Sequence, residues 1–154
     1  MTANLSIIIV NWNAGDLLRR SIESVISSCL GISYEVIIVD NASHDNSLEL
    51  LRKSQPSATL ISNGRLRIVE NFENKGFDSA NNQAFDLAQS QLVLLLNPDT
   101  EVLPGAIDTL VKTIHSDPKI GACGPKILNT DGSIQISVWH NPPSALPPTA
   151  SGKD

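Results

Sequence analysis

Leu92-Val93-Leu94-Leu95-Leu96-Asn97-Pro98-Asp99-Thr100 opens as an apolar run and closes on an isolated carboxylate. Five consecutive apolar residues ended by a turn signal read as a strand buried on both faces, the habit of parallel sheets. Asn97-Pro98 stops the strand, because proline donates no backbone hydrogen bond and restricts the residue before it. Asp99 then stands just past the carboxyl edge of a buried strand, where open α/β sheets bind ligands. A second acid, Asp40, closes a run of the same kind, Glu35-Val36-Ile37-Ile38-Val39. Two carboxylates at two strand ends form the pattern of a nucleotide and metal site.

Outward from these runs, strand and helix signals alternate along the chain. Leu5 to Val10 reads as the first strand and Asn11 to Gly15 as a loop. Leu17, Leu18, Ile22, Val25, Ile26 and Cys29 have helical spacing across 16–29. The second strand is Glu35 to Asp40. A helix over about 45–54 follows, with Asn46 and Glu49 at capping-box spacing. Gln55 to Gly64 reads as a polar connection, Leu66 to Glu70 as a short third strand, and about 78–89 as the third helix. After the fourth strand, Gln91 to Leu96, Pro104 suits the first turn of a helix over about 104–115. Ile120 to Ile127 reads as a glycine-interrupted fifth strand. Asp131-Gly132 is a hairpin turn signal, with Ile134 to Val138 alternating beyond it. Such βαβ alternation predicts a Rossmann-like α/β fold, with a mostly parallel sheet, right-handed crossovers and helices on both faces.

Composition narrows the function. A chain of 154 residues matches one domain and buries roughly two thirds of its unfolded surface. With 41% hydrophobic and 18% charged residues, neither a disordered chain nor a fibre fits. The net charge of -5 lacks the basic stripe that a nucleic-acid partner needs. The apolar runs are far shorter than the ~20 residues of a membrane span. The N-terminus shows no basic region followed by an apolar stretch, so a cytoplasmic location is expected. Cys29 and Cys123 match no zinc or redox spacing and are expected to be reduced core residues. No glycine-rich dinucleotide fingerprint follows the first strand, and no phosphate-binding P-loop occurs anywhere. Phosphates then need another holder, and a carboxylate-bound divalent cation is the candidate.

Several segments together resemble family 2 glycosyltransferases. Ile8-Ile9-Val10-Asn11-Trp12-Asn13 and Val39-Asp40-Asn41-Ala42-Ser43, with Asp45 and Ser47, look like that family's first two strand ends. Asn74-Lys75-Gly76-Phe77 with Asn81-Asn82-Gln83-Ala84 resembles the stretch before its metal motif. Leu95-Leu96-Asn97-Pro98-Asp99-Thr100 is similar to the metal motif itself, in a form met among rhamnosyltransferase-like members. Gly124-Pro125-Lys126-Ile127 and Asp131-Gly132-Ser133 occur in that subgroup too. The resemblance covers residues 5–137 in order and spacing.

The resemblance implies a GT-A fold, over 1–140, whose nucleotide-binding half is present and whose acceptor-binding half is not. It implies a nucleoside-diphosphate sugar as donor, a glycan or lipid-linked acceptor, and inverting transfer to an acceptor hydroxyl. Val10, Asn11 and Asn13 would line the nucleobase and ribose pocket, and Asp40 would accept hydrogen bonds from base or ribose. Asn74, Gly76, Asn81 and Asn97 would complete the nucleotide site. Asp99 would hold Mg²⁺ or Mn²⁺ bridging the donor diphosphate. Where the family's pattern has a first carboxylate in the metal motif, this chain has Asn97, so Asp99 stands alone and metal affinity without nucleotide is expected to be weak. The carboxylate base that deprotonates the acceptor has no counterpart among the 55 residues after Asp99. Its place is expected in the missing half, and residues 141–154 read as a proline-rich disordered tail. Without that half, the strand carrying Ile134, Ile136, Val138 and Trp139 would leave an apolar edge through which two chains pair. A location at the inner membrane face goes with a lipid-linked acceptor.

Each residue also has a plainer role open to it. Asp99 fits a simple turn, Asp40 and Asp45 fit helix or turn caps, and Trp12 fits packing. Lys75, Arg67 and the three histidines read as surface residues. Among other function classes, a receiver domain shares the sheet but needs an acidic pair where Asn11 and Asn13 stand. A nucleotidyltransferase shares the metal logic but needs a glycine-rich basic loop where Asn11-Trp12-Asn13-Ala14-Gly15 stands. A catalytically inactive nucleotide-sugar-binding or assembly module is the remaining alternative.

Overall fold

A computed structural model describes residues 3–29 and 31–136. Leu5–Asn11 forms β1, and every side chain in Leu5–Ile9 is buried. A 13-residue helix, α1, runs Asp16–Ser28, and β2 runs Tyr34–Asp40, buried throughout. Two short helices follow, α2 at Ser47–Lys53 and α3 at Gln55–Ser62. Then come β3 at Leu66–Glu70, α4 at Phe77–Leu87, β4 at Leu92–Leu95 and α5 at Ala106–Ser116.

The four strands are all parallel, in the order β3-β2-β1-β4. Side chains of β1 and β2 alternate between two apolar layers, as the two-residue strand period requires. Ile7, Ile9, Val36 and Ile38 meet Leu18, Ile22 and Val25 of α1, with Leu51, Leu60 and Ile107 from α2, α3 and α5. Ile8, Ile37 and Val39 meet Ala80 and Ala84 of α4 on the other face. Helices on both faces of a parallel sheet are what the βαβ alternation predicts. The direction of winding reverses at β1, with β2 on one side and β4 on the other. The crevice beyond the carboxyl ends of β1 and β4 is therefore a topological switch point.

Five expectations are corrected. The run Leu92–Leu96 is not buried on both faces: β4 is the edge strand of the sheet among the described residues, and Leu95 is 51% exposed. Gln55 to Gly64 is mostly helical, because Pro56 sits in the first turn of α3, where its missing N–H costs nothing. That helix ends in a Schellman motif, with Arg65 N donating to Leu60 O and Gly64 N to Ile61 O. Residues 120–127 form no strand, since glycine-rich chain holds an extended shape only against a partner strand, and none pairs with it among the described residues. Cys123 is exposed, while Cys29 is buried as expected. Pro104 precedes the last helix rather than opening it, and Gly105, at φ 77°, makes the entry.

The hairpin turn at Asp131-Gly132 is present. Asn129 N donates to Ser133 O and Gln135 N to Ile127 O, with Leu128 facing Ile134. Gly132 has φ 82° and Asp131 does not go left-handed, so the loop is the three-residue kind rather than a two-residue one. The tail 141–154 and residues 137–140 lie outside the described residues.

Candidate functional site

The carboxyl ends of β1, β2 and β3 are tied together by side chains. Asn11 and Asp40 are direct neighbours in the register. Asn11 Nδ2 donates to Asp40 Oδ1 at 2.6 Å and lies within bonding distance of Ser43 Oγ and Ser47 Oγ. Asp40 Oδ2 accepts from Ser43 N at 3.0 Å. Asn11 is fully buried and its Oδ1 has no partner, because facing the amino group to the carboxylate turns the oxygen away. The structure thus places Asn11 as the support that holds Asp40, and Asp40 itself retains 4% exposure.

Around this pair the loops are shaped by unusual backbone. Asn13 and Ala42 are the non-glycine residues with positive φ among those described, at 54° and 62°. Asn13 Oδ1 accepts from His44 N, and Asn13 N donates to Ser43 Oγ, so the β1 and β2 loops lock at 2.8–2.9 Å. Asp45 plays the capping role open to it. Its Oδ1 accepts from Ser47 N and Oγ, and its Oδ2 from Gly15 N at 2.7 Å. Burial raises the Asp45 carboxyl, but the bonds from Ser47 and Gly15 outweigh it and hold the group below its ordinary value. Asn46, in contrast, makes no side-chain cap.

A set of amides that no sequence spacing announced fixes the loop after β3. Asn41 Oδ1 accepts from Lys75 N and Asn71 Nδ2, while Asn41 Nδ2 donates to Asn74 Oδ1 at 2.6 Å and Gly76 O. Asn71 and Gln83 exchange a reciprocal pair of amide bonds at 2.8 and 3.1 Å. Asn74 and Gly76 therefore lie beside the β2 end, and Lys75 is exposed between them. Asn81 is buried on α4 and donates to Phe77 O. Val10 is half-buried, in the apolar layer under α4. Trp12 is 59% exposed immediately after Asn11, which removes the packing role for it. Arg67 does not face this edge: it pairs with Glu35 at 2.6 Å.

Asp99 stands across the switch point. Leu96 N donates to Ile8 O, and Thr100 N closes a turn onto Asn97 O at 3.2 Å. Asn97 and Asp99 are exposed, and no protein group bonds the Asp99 carboxylate among the described residues. With β1 between β2 and β4, Asp40 ends the strand on one side of β1 and Asp99 follows the strand on the other. No cluster of three or more His, Cys, Asp or Glu side chains suited to a metal occurs among the described residues. The donor set is one free hard oxygen ligand at a ligand-binding edge. That fits Mg²⁺ or Mn²⁺ held by one carboxylate and by phosphate oxygens of a bound nucleotide, and does not fit an all-protein metal cage.

Comparison with known proteins identifies the family and the fold. The sequence model for glycosyl transferase family 2 matches residues 6–143. The N-acetylglucosaminyl-diphospho-decaprenol L-rhamnosyltransferase of Mycobacterium tuberculosis is 28% identical over 145 residues, 92% of this chain and 47% of that protein. The poly-beta-1,6-N-acetyl-D-glucosamine synthase of Staphylococcus aureus is 32% identical over 124 residues, 75% of this chain and 29% of that protein. The chain thus spans less than half the length of these curated relatives. Among solved structures, a mannosyltransferase from Pyrobaculum calidifontis in complex with GDP-Man and Mn²⁺ superposes with a TM-score of 0.67 at 22% identity, over 79% of this chain and 34% of that one. TarS residues 1–349 of S. aureus in complex with UDP gives 0.61 at 18% identity, over 73% and 32%. At such identities the superpositions speak for the fold, which is the Rossmann-like GT-A arrangement. Strand-end residues, sheet order and the match over 6–143 converge: the chain belongs to glycosyl transferase family 2.

Proposed function

We propose that this chain forms the donor-binding part of a glycosyltransferase that takes a nucleoside-diphosphate sugar and passes the sugar, with inversion, to a hydroxyl of a glycan or lipid-linked acceptor. The observation that carries this reading is the Asp99 carboxylate, without a protein partner among the described residues, in the turn after β4 on the side of β1 opposite to β2 and its terminal Asp40. Asp40 accepts hydrogen bonds from the base or ribose, and its orientation is set beforehand by Asn11 and Ser43. Trp12 offers an aromatic face for the base, and Val10, Asn13, Asn74, Gly76, Asn81 and Asn97 shape the pocket wall and its loops. Asp99 is the protein ligand of Mg²⁺ or Mn²⁺, and Asn97 adds no charge. The metal, when bound, supplies Lewis-acid neutralisation of the leaving diphosphate.

The base that deprotonates the acceptor lies outside the described residues. Glu101 pairs with Arg20, and Asp131 Oδ1 accepts from Ser133 N and Oγ, so both carboxylates are taken up in local contacts. The decaprenol-linked substrate in the name of the mycobacterial relative favours a lipid-linked acceptor and a place at the cytoplasmic face of the membrane. No described helix is long and apolar enough to cross a membrane.

Calorimetric titration of UDP, GDP and dTDP, each with Mn²⁺ and with EDTA, tests the site. One nucleotide should bind in a Mn²⁺-dependent way, and Asp99→Ala should weaken that binding at least tenfold, about 1.4 kcal/mol or more. Mn²⁺ alone should bind weakly, since a single carboxylate holds it. Tight binding of Mn²⁺ without nucleotide, or equal nucleotide affinity in Asp99→Ala, would sink the assignment.

A further inference from the structure

Asp99 has no side-chain partner to hold it among the described residues, so its position is set by the backbone on either side. One side is pinned to the sheet, where Leu96 N donates to Ile8 O at 2.9 Å. The other side is pinned to a helix. Val102 N donates to Ser24 Oγ at 2.8 Å, and Ser28 Oγ donates to Val102 O at 2.9 Å. One turn earlier on α1, the Arg20 guanidinium pairs with Glu101. Arg20, Ser24 and Ser28 follow one another at intervals of four, along a single ridge of α1.

We propose that this ridge of α1 is a positioning device for the Asp99 carboxylate, with Ser24 and Ser28 as its principal members and Arg20 as an auxiliary. The proposal rests on the reading of Asp99 as the metal ligand. Val102 receives from two serine side chains the donor and acceptor that a neighbouring strand would otherwise supply. Ser24 Oγ accepts from Val102 N while its own proton goes back to Ser21 O of the helix at 2.6 Å, which fixes the hydroxyl's direction. Ser28 is 4% exposed, a polar residue on the core side of an amphipathic helix where an apolar one would pack without cost. The helix is itself immobilised by Leu18, Ile22 and Val25, all fully buried against the sheet.

Between the two anchors lie Asn97 to Glu101, with the Asn97–Thr100 turn closed and the φ of Pro98 fixed by its ring. The segment that carries Asp99 therefore has little freedom once Leu96 and Val102 are held. A metal ligand must be placed to within about 0.5 Å to be effective. A bound nucleotide diphosphate then meets a carboxylate already in place, and the ordering cost is not charged to binding.

The test measures nucleotide affinity twice for each variant, with Mn²⁺ and with EDTA, using whichever of UDP, GDP or dTDP binds the wild type. Thermal midpoints are recorded alongside. Ser24→Ala and Ser28→Ala should each weaken Mn²⁺-dependent binding about tenfold and leave affinity in EDTA within about twofold. Ser24→Thr, which keeps the hydroxyl, should restore the wild-type value. Ser27→Ala, exposed on the same helix, should change neither affinity. Arg20→Gln removes only an exposed charge, cannot threaten folding, and should weaken Mn²⁺-dependent binding by about twofold. Parallel losses with Mn²⁺ and EDTA would show a structural role alone and overturn the proposal. So would unchanged Mn²⁺-dependent binding in Ser24→Ala and Ser28→Ala when Asp99→Ala abolishes it. If Asp99→Ala itself changes nothing, the metal-ligand reading falls and the proposal falls with it.

Discussion

Asn41 uses all of its hydrogen-bonding capacity. Two acceptor sites take Lys75 N and Asn71 Nδ2, and two donors reach Asn74 Oδ1 and Gly76 O. At 2% exposure such a residue fixes the loop after β3 in one register. The next residue, Ala42, takes the cost of that arrangement, with φ 62°. A left-handed residue with a Cβ costs about 1–2 kcal/mol, whereas glycine's extra freedom when unfolded costs about 0.4–1 kcal/mol. The first effect wins, so Ala42→Gly should stabilise the protein by about 0.5–1 kcal/mol, read as a higher denaturant midpoint at unchanged slope. A lower midpoint would mean that the methyl group's packing outweighs the strain. At this scale the sequence was half legible. Asp40 and Asp99 stand out as candidates because each follows an apolar run that ends abruptly. Asn41, Asn71 and Gln83 do not, since their amides meet across elements 12 to 30 positions apart and leave no periodic trace. Asn11 reads from the sequence as a pocket residue, whereas its side chain is fully buried against Asp40.

The elements were legible where a local pattern sufficed and obscure where a partner decides. The alternating apolar layers of β1 and β2 are written in their β-branched runs. The edge position of β4 is not, because an apolar run does not say whether a neighbour covers it. The polar stretch Gln55-Pro56-Ser57-Ala58-Thr59 reads as a loop, yet Leu60 and Ser57 dock against the core and carry a helix. Residues 120–127 show the converse, strand-like composition without a strand. At the amino edge of the sheet, opposite the site, Glu35 joins three elements. It accepts from Ser6 Oγ at 2.7 Å, Gln89 N at 2.8 Å and Arg67 Nη2 at 2.6 Å. Burial raises the Glu35 carboxyl, but those three donors outweigh it and hold the group below the ordinary 4.5. A carboxyl lowered in the folded state favours folding above its unfolded value, and that contribution is lost as pH falls through the folded one. Stability should therefore decline from about pH 4.5 downward. Glu35→Gln should cost about 2 kcal/mol at pH 7 and show a shallower decline in acid. Equal acid sensitivity in wild type and Glu35→Gln, measured by denaturant titration across pH 3–7, would place the titrating group elsewhere.

At the scale of the whole molecule the two edges of the sheet are managed differently. The β3 edge carries Arg67 and Glu70, and Glu70 pairs with Arg52 at 2.5 Å, so charge guards it against a second chain. The β4 edge is Leu92-Val93-Leu94-Leu95 with no charge in it, and no strand pairs on its outer side among the described residues. Leu95, Leu103, Leu128, Ile134 and Ile136 add exposed apolar surface, with Ile134 63% and Ile136 71% exposed. Backbone groups free to pair and apolar side chains free to be buried act in the same direction. A net charge of -5 spread over 154 residues opposes this only weakly at physiological salt. The 154-residue chain should therefore self-associate as its concentration rises, with β4 as the contact. Light scattering should give a mass above the 16.5 kDa of one chain, and Leu95→Lys should return it to that value by placing a charge on the open edge. The same substitution should leave nucleotide affinity unchanged if the carboxyl-end site and the outer edge are independent surfaces. A wild-type chain that stays at 16.5 kDa at high concentration would mean that the β4 edge is already shielded. Association that persists in Leu95→Lys would move the contact to the hairpin, where Ile134→Lys is the variant that should then dissociate it.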